Sequence, residues 1–303
     1  MSVFIFPGQG SQYVSMAMDF NNNFNEAKNT FIEIEDITKI NLRKIITENQ
    51  EDELNQTKYT QISIFAASMA IFNTLVNQFN LTPKVVMGHS LGEYSALVSS
   101  NVLTLADASN LIQIRGNLMQ SAILPNTSGM AALIGKNANS IDDIIKKNKL
   151  DIFIANDNSP IQVVVSGLLK DLDKTKEILI SNGVKKFIKL NVSAAFHSKY
   201  MEEAQTRFAE EINNIKFSDS NIPIISNYDA NFNSDLESII TAIKKQMANR
   251  VRWVDSIKKL EETGNKKIVE IGPGKVLSGL ISRISKTFDI TSVDKITDLE
   301  KIN

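Results

Sequence analysis

The chain has 303 residues, of which 43% are hydrophobic and 22% charged, with a formal net charge of -1. That suits one large α/β domain, or a large domain carrying a smaller one, and leaves no electrostatic footprint for nucleic acid or an anionic membrane. With no cysteine in the chain, disulfides, thiolate metal sites and a cysteine nucleophile are excluded. The start, MSVFIFPGQG, lacks the basic residues and long apolar core of a signal peptide, and no segment approaches bilayer-spanning length. A cytoplasmic protein without membrane association is the expectation.

Short β-branched runs alternate with longer helical stretches, which predicts a largely parallel sheet. Val3–Phe6 reads as a strand, followed by the glycine-rich turn Pro7–Gly10. Helices are expected near Glu26–Lys39 and Thr60–Gln78, then a strand Val85–Met87, a helix after Gly92 and another over Leu105–Ile123. From about Gly129 the pattern changes. Met130–Ile134, Ile152–Ala155, Val163–Ser166 and Lys186–Leu190 read as strands, with helices Ser140–Lys147 and Lys170–Asn182 between them. That order, β-α-β-β-α-β, is ferredoxin-like and closes on itself, so residues 126–193 are expected to be a small inserted subdomain. Residues 1–125 and 194–303 form the larger unit, resuming with a helix to about Ile215. Strand Ile222–Ser226, helix Asp235–Met247, strand Lys267–Ile271 and a helix starting near Lys275 complete it.

The most informative segment is Gly88-His89-Ser90-Leu91-Gly92, a GxSxG sequence between a predicted strand and a predicted helix. A sharp strand-to-helix turn exposes the serine hydroxyl and needs glycines where a Cβ would clash. The following helix aims main-chain N–H groups at a developing oxyanion. A serine nucleophile needs a base, and the chain has two histidines. His89 shares the turn with Ser90, where consecutive side chains diverge, which leaves His197. No acidic residue stands out to orient it, so a carbonyl or amide is the candidate.

The Leu105–Ile123 helix carries Ala108, Leu111, Ile112, Met119 and Ala122 at helical spacing, and Arg115 falls within that stripe. A core-facing guanidinium is costly unless paired. An internal salt bridge, a snorkelling rim arginine and a substrate-carboxylate site all fit; the fork of arginine suits the last. Gly8-Gln9-Gly10 lacks the third glycine of a dinucleotide fingerprint, and Gly272-Pro273-Gly274-Lys275 lacks Walker spacing and reads as a helix-capping turn. Lys185, Lys186 and Lys189 read as a solvated basic face, with docking of an acidic partner as the alternative.

Taken together, these segments resemble the malonyl-CoA:acyl carrier protein transacylases. The resemblance rests on Phe6–Gln12, Gly88–Leu97, Arg115-Gly116 with Met119, Asn158-Ser159-Pro160, Phe196-His197-Ser198 and Glu270–Leu277, in the family's order from end to end. It implies a hydrolase-like core with a ferredoxin-like insertion. It also implies that Ser90 forms an acyl ester, that His197 activates it, and that Gln9 with the N–H of Leu91 makes the oxyanion hole. By the same resemblance Gln246 orients His197 through its main-chain carbonyl, Arg115 binds the malonyl carboxylate, and Gln61 and Met119 line the acyl pocket.

Leu91 after the nucleophile and Phe196 before the base look like the malonyl-selecting pattern, since Phe196 would crowd an α-methyl branch, a preference of about 10–200-fold for one methyl. The Ala195–Ser198 segment leans towards stand-alone acyltransferases of polyketide pathways. The implied partners are malonyl-CoA and an acyl carrier protein whose phosphopantetheine accepts the group; no resident cofactor or metal is implied, and a monomer is expected. Two departures stand out: Thr60-Gln61-Ile62 replaces Thr-Gln-Pro, and Asn249-Arg250-Val251, near Gln246, replaces Asn-Pro-Val.

Overall fold

A computed structural model describes residues 2–302 as an α/β protein with two separate sheets. In chain order the first elements are β1 (Ser2–Phe6), α1 (Met18–Asn23), α2 (Asn25–Thr38), α3 (Leu42–Glu48), α4 (Thr57–Phe79), β2 (Pro83–Gly88), α5 (Gly92–Ser99) and α6 (Leu105–Ser121). The small-sheet segment follows as β3 (Ser128–Ile134), α7 (Ala138–Asn148), β4 (Ile152–Ser159), β5 (Gln162–Leu168), α8 (Leu169–Ser181) and β6 (Lys186–Lys189). The chain ends with α9 (Glu202–Asn213), β7 (Ile224–Ile225), β8 (Phe232–Asn233), α10 (Leu236–Gln246), α11 (Trp253–Glu261), β9 (Lys267–Ile271), α12 (Val276–Ile284) and β10 (Asp289–Val293).

The larger sheet runs β10-β9-β1-β2-β7-β8, parallel throughout except for β8. Parallel strands are covered on both faces, and β1 shows why its sequence is apolar from Val3 to Phe6. Phe4 and Phe6 face the large core with α4, whereas Val3 and Ile5 face the opposite layer with Trp253, Ile257 and Leu280. The smaller sheet runs β4-β5-β3-β6 and is antiparallel. Its strands alternate in the same way. Ala131, Leu133, Val163 and Val165 pack beneath α7 and α8, while Met130, Ala132 and Val164 face the large core.

Several expectations need correction. Helix α4 is 23 residues long, with a mean hydropathy of 1.4 over its best 18-residue window, so one segment does reach spanning length on composition. It lies in the protein core, with 72% of that window buried. The strand expected over Ile222–Ser226 shrinks to β7, because Pro223 has no N–H to donate to the ladder. The helix expected directly after His197 begins at Glu202, behind a 3-10 turn at Lys199–Met201. Among the elements not anticipated, α11 is short and β8 and β10 lie at sheet edges.

The sheet register creates the site. Phe6 pairs with Gly88, so the turns leaving β1 and β2 emerge side by side at the carboxyl ends of the strands. The His89 N–H donates to the Phe6 carbonyl at 3.0 Å. A Cβ on Gly92 would meet the Phe6 oxygen at 2.0 Å. Gly92→Ala is therefore expected to cost about 3 kcal/mol of stability; urea unfolding followed by the fluorescence of Trp253 measures it, and a loss within experimental error would contradict the close approach.

Candidate active site

Ser90 occupies the turn between β2 and α5 with φ 52°, a left-handed conformation that a non-glycine residue adopts only when its surroundings impose it. Its Oγ lies 2.8 Å from His197 Nε2. His197 itself has φ 55°. Its Nδ1 meets two main-chain carbonyls, Gln246 O at 3.0 Å and Asn249 O at 3.1 Å. Carbonyls only accept, so Nδ1 carries the proton and Nε2 is left to accept the serine proton. Burial, then the charge of Arg115, pushes the imidazole down to about 3, so it is neutral at ordinary pH and its Nε2 lone pair is free. His89 is excluded from this role by geometry: its Nε2 meets Asn158 Oδ1 at 2.8 Å and its ring packs edge-on to Trp253.

Arg115 is 1% exposed and points at Ser90. Nη1 donates to Gln61 Oε1 at 2.7 Å, and Nη2 donates to Gln246 Oε1 at 2.9 Å and to Ser90 Oγ at 3.1 Å. The Tyr94 ring lies 5.4 Å from its guanidinium carbon. Among the described residues no carboxylate comes within ion-pair distance of it, and its Nε has no acceptor. Of the three readings open from sequence, the internal salt bridge and the rim arginine are both wrong. Burial lowers the guanidinium's pKa, although an arginine stays charged.

Gln9, Gln61, Leu91, Arg115, Met119, Phe196 and His197 line one cleft of about 190 Å³ with Ser90. Gln61 is fixed at both ends, its amide nitrogen 3.3 Å from Met119 Sδ. The side chain of Gln9 donates to Thr57 Oγ1 at 3.4 Å. Among the described residues, the main-chain N–H groups of Gln9 and Leu91 donate to no other residue. The small sheet closes the opposite wall with Met130, Ala132 and Val164. Ser166 on β5 donates to the Phe196 carbonyl at 2.6 Å, tying that sheet to the segment that carries His197.

The chain matches the acyl transferase domain family over residues 3–299. It is 36% identical to a malonyl CoA-acyl carrier protein transacylase of Staphylococcus aureus over 99% of this chain and 97% of that one. The Salmonella typhimurium transacylase is 34% identical, covering 96% and 95%. Among solved structures, an acyl carrier protein S-malonyltransferase from Vibrio cholerae superposes with TM-score 0.94 at 34% identity, covering 99% of each chain. A malonyl-transacylase in complex with its type II PKS acyl-carrier protein gives 0.95 at 34% identity, covering 99% and 97%. The chain belongs to the malonyl-CoA:acyl carrier protein transacylase family.

Two parts of this transacylase site escape a reading of the sequence. Asn227 follows β7, the strand beside β2. Its Oδ1 accepts the Ser90 N–H at 2.6 Å and its Nδ2 donates to the Gly88 carbonyl at 2.6 Å, bracing the turn. Gln246 contributes its side chain as well as its carbonyl, since Nε2 donates to Ser90 O at 2.9 Å and to Glu93 Oε2 at 2.6 Å. A polar residue just past a central strand is the only local signal for Asn227, and many loops carry one. The departure at Arg250 is accommodated by an ion pair with Asp142 of α7 at 2.8 Å, while Asn249 still presents its carbonyl. Lys185, Lys186 and Lys189 are exposed, and Lys189 pairs with Asp173. Gly272–Lys275 leads into α12, whose first N–H groups are capped by the Glu270 carboxylate. Among the described residues no cluster of three or more His, Asp or Glu side chains is arranged to hold a metal ion.

Asn227→Ala leaves the Ser90 N–H and the Gly88 carbonyl without their partner, and an expected loss of about 2 kcal/mol follows, readable by denaturant unfolding. First-turnover acylation of Ser90 is expected to hold level as pH falls through 6.5, the ordinary histidine value. An imidazole held down at about 3 is still unprotonated there; a rate that halves near 6.5 would contradict its desolvation.

Proposed function

We propose that this protein transfers a malonyl group from malonyl-CoA to the phosphopantetheine thiol of an acyl carrier protein through an ester on Ser90. The observation that carries the reading is Arg115, a buried cation with no carboxylate partner among the described residues, 3.1 Å from the serine hydroxyl. An acyl thioester alone does not need that charge; one ending in a carboxylate does, because it supplies the anion the guanidinium lacks. In the first half-reaction His197 Nε2 takes the Ser90 proton as Oγ bonds to the thioester carbonyl carbon. The main-chain N–H groups of Gln9 and Leu91 receive the oxyanion. Collapse breaks the carbon–sulfur bond, and the leaving thiolate takes the proton back from His197. The second half-reaction runs in reverse, with the carrier thiol as nucleophile.

Phe196 at the wall of the cleft disfavours an α-branched acyl group, and Gln61 and Met119 keep Arg115 aimed. We assign residues 126–193 to a ferredoxin-like insertion within a hydrolase-like catalytic unit of residues 1–125 and 194–303. The β-α-β-β-α-β order of the small unit supports that assignment. The acceptor is read as a carrier protein of fatty-acid or polyketide assembly, and the enzyme as a cytoplasmic monomer needing no resident cofactor.

Ser90→Ala is expected to abolish the acyl-enzyme seen by intact-protein mass spectrometry after mixing with malonyl-CoA. Arg115→Ala is expected to lower kcat/KM for malonyl-CoA by about a hundredfold or more, with a smaller loss, or a gain, for acetyl-CoA. Equal losses would remove the carboxylate-anchor role. Free malonate released as fast without carrier protein as with it would make the enzyme a thioester hydrolase instead.

A further inference from the structure

Glu93 sits in the first turn of α5, three residues after the nucleophile, and is 1% exposed. A carboxyl in that position is costly unless its oxygens are hydrogen-bonded. Among the described residues no cation is paired with it. Instead its Oε2 accepts from Gln246 Nε2 at 2.6 Å and from the Asn227 main-chain N–H at 3.2 Å. Both partners are amides already bonded to the reacting groups. Gln246 reaches Arg115 through Oε1 and the Ser90 carbonyl through Nε2, and Asn227 holds the Ser90 N–H.

The two ends of a glutamine amide have nearly the same shape and opposite hydrogen-bonding character. Gln246 therefore has two ways to lie between Glu93 and Arg115, and only one is compatible with both. With Nε2 towards Glu93, the carbonyl oxygen faces the guanidinium. Reversed, the amide would set donor against donor at Arg115 and, with Glu93 ionised, acceptor against acceptor at Glu93. An apolar side chain at position 93 would remove the second penalty and one of the bonds that hold Gln246, leaving its orientation to the Ser90 carbonyl and Arg115 alone.

We infer that Glu93 is a positioning residue: by fixing the orientation of the Gln246 amide it sets the aim of Arg115, and through Asn227 it steadies the Ser90 turn. It touches neither the acyl group nor the reacting atoms. The Gln246 arm matters most for an acyl group that ends in a carboxylate, because Arg115 grips that end. The Asn227 arm acts on the nucleophile and so on every acyl group alike. The carboxyl also tolerates its site by holding its proton more tightly, since burial pushes Glu93 up to about 7, and a protonated carboxyl still offers an accepting oxygen.

This inference rests on the malonyl-transfer reading above. Its test is the ratio of kcat/KM for malonyl-CoA to that for acetyl-CoA, measured in Ser90 acylation. Glu93→Met keeps the length of the side chain and removes the acceptor; its ratio is expected to fall about tenfold, on top of a loss shared by both substrates. Glu93→Gln retains an accepting oxygen and is expected to keep the ratio within about threefold of the unaltered protein. Equal losses for the two substrates in Glu93→Met, or the same fall in Glu93→Gln, would overturn the positioning role and leave Glu93 as a packing residue. Thermal unfolding shows whether each variant is folded. Should Glu93→Met not fold, Glu93→Asp, whose carboxyl is drawn back by one methylene, carries the same comparison, and an unchanged ratio there overturns the inference. Failure of the unaltered protein to form a malonyl ester on Ser90 would instead sink the malonyl-transfer reading, so the two outcomes are distinguishable.

Discussion

The charge on Arg115 is buried at the base of the cleft, 1% exposed, and the described residues provide no carboxylate to neutralise it directly. Holding an uncompensated cation there requires dipoles arranged around it, and much of the site is that arrangement. Gln61 from α4 and Gln246 from the end of α10 turn their carbonyl oxygens towards the guanidinium, and Tyr94 sets a ring beside it. None of these partners is an anion, so the field of the guanidinium remains available to whatever enters the cleft. The same charge helps keep His197 neutral, which an imidazole must be to accept a proton.

The Ser90 turn depends on a second constraint, the close approach of two main-chain segments. The pairing of Phe6 with Gly88 sets the glycine-rich turn after β1 beside the turn after β2. A Cβ on Gly8 would come within 2.3 Å of the His89 carbonyl. The left-handed Ser90 sits at this junction, its N–H taken by Asn227, while the N–H of Leu91 is left unspent among the described residues. Strain at the serine is thus held by Asn227 just after β7 and Gln246 at the end of α10, more than a hundred residues away in the chain.

The two sheets meet at the site for a reason of period. A strand alternates its faces, so β3 and β5 can bury one set of residues under their own helices and offer Met130, Ala132 and Val164 to the cleft. The segment returning from β6 then carries Phe196 and His197 straight to Ser90, anchored by Ser166. The cleft accordingly lies between the two sheets.

How much of this was legible in the sequence differs residue by residue. Ser90 announced itself, because a strand-to-helix turn with two glycines is a local arrangement encoded by adjacent residues. His197 followed because only two histidines exist, and Arg115 because it breaks an apolar stripe whose helical period is also local. The βαββαβ order and the alternating faces were equally readable. Gln246 came through resemblance alone, and only its carbonyl was anticipated. Asn227, Glu93, Asn249 and the side chain of Gln246 could not be recognised. Their importance lies in hydrogen bonds between segments distant in sequence, and a hydrogen bond has no period to leave behind. Sequence by itself determined the alternation of elements and the identity of the groups that carry charge or a labile proton. Only the tertiary structure decided which neutral dipoles face them, since burial and orientation are properties of the packed chain.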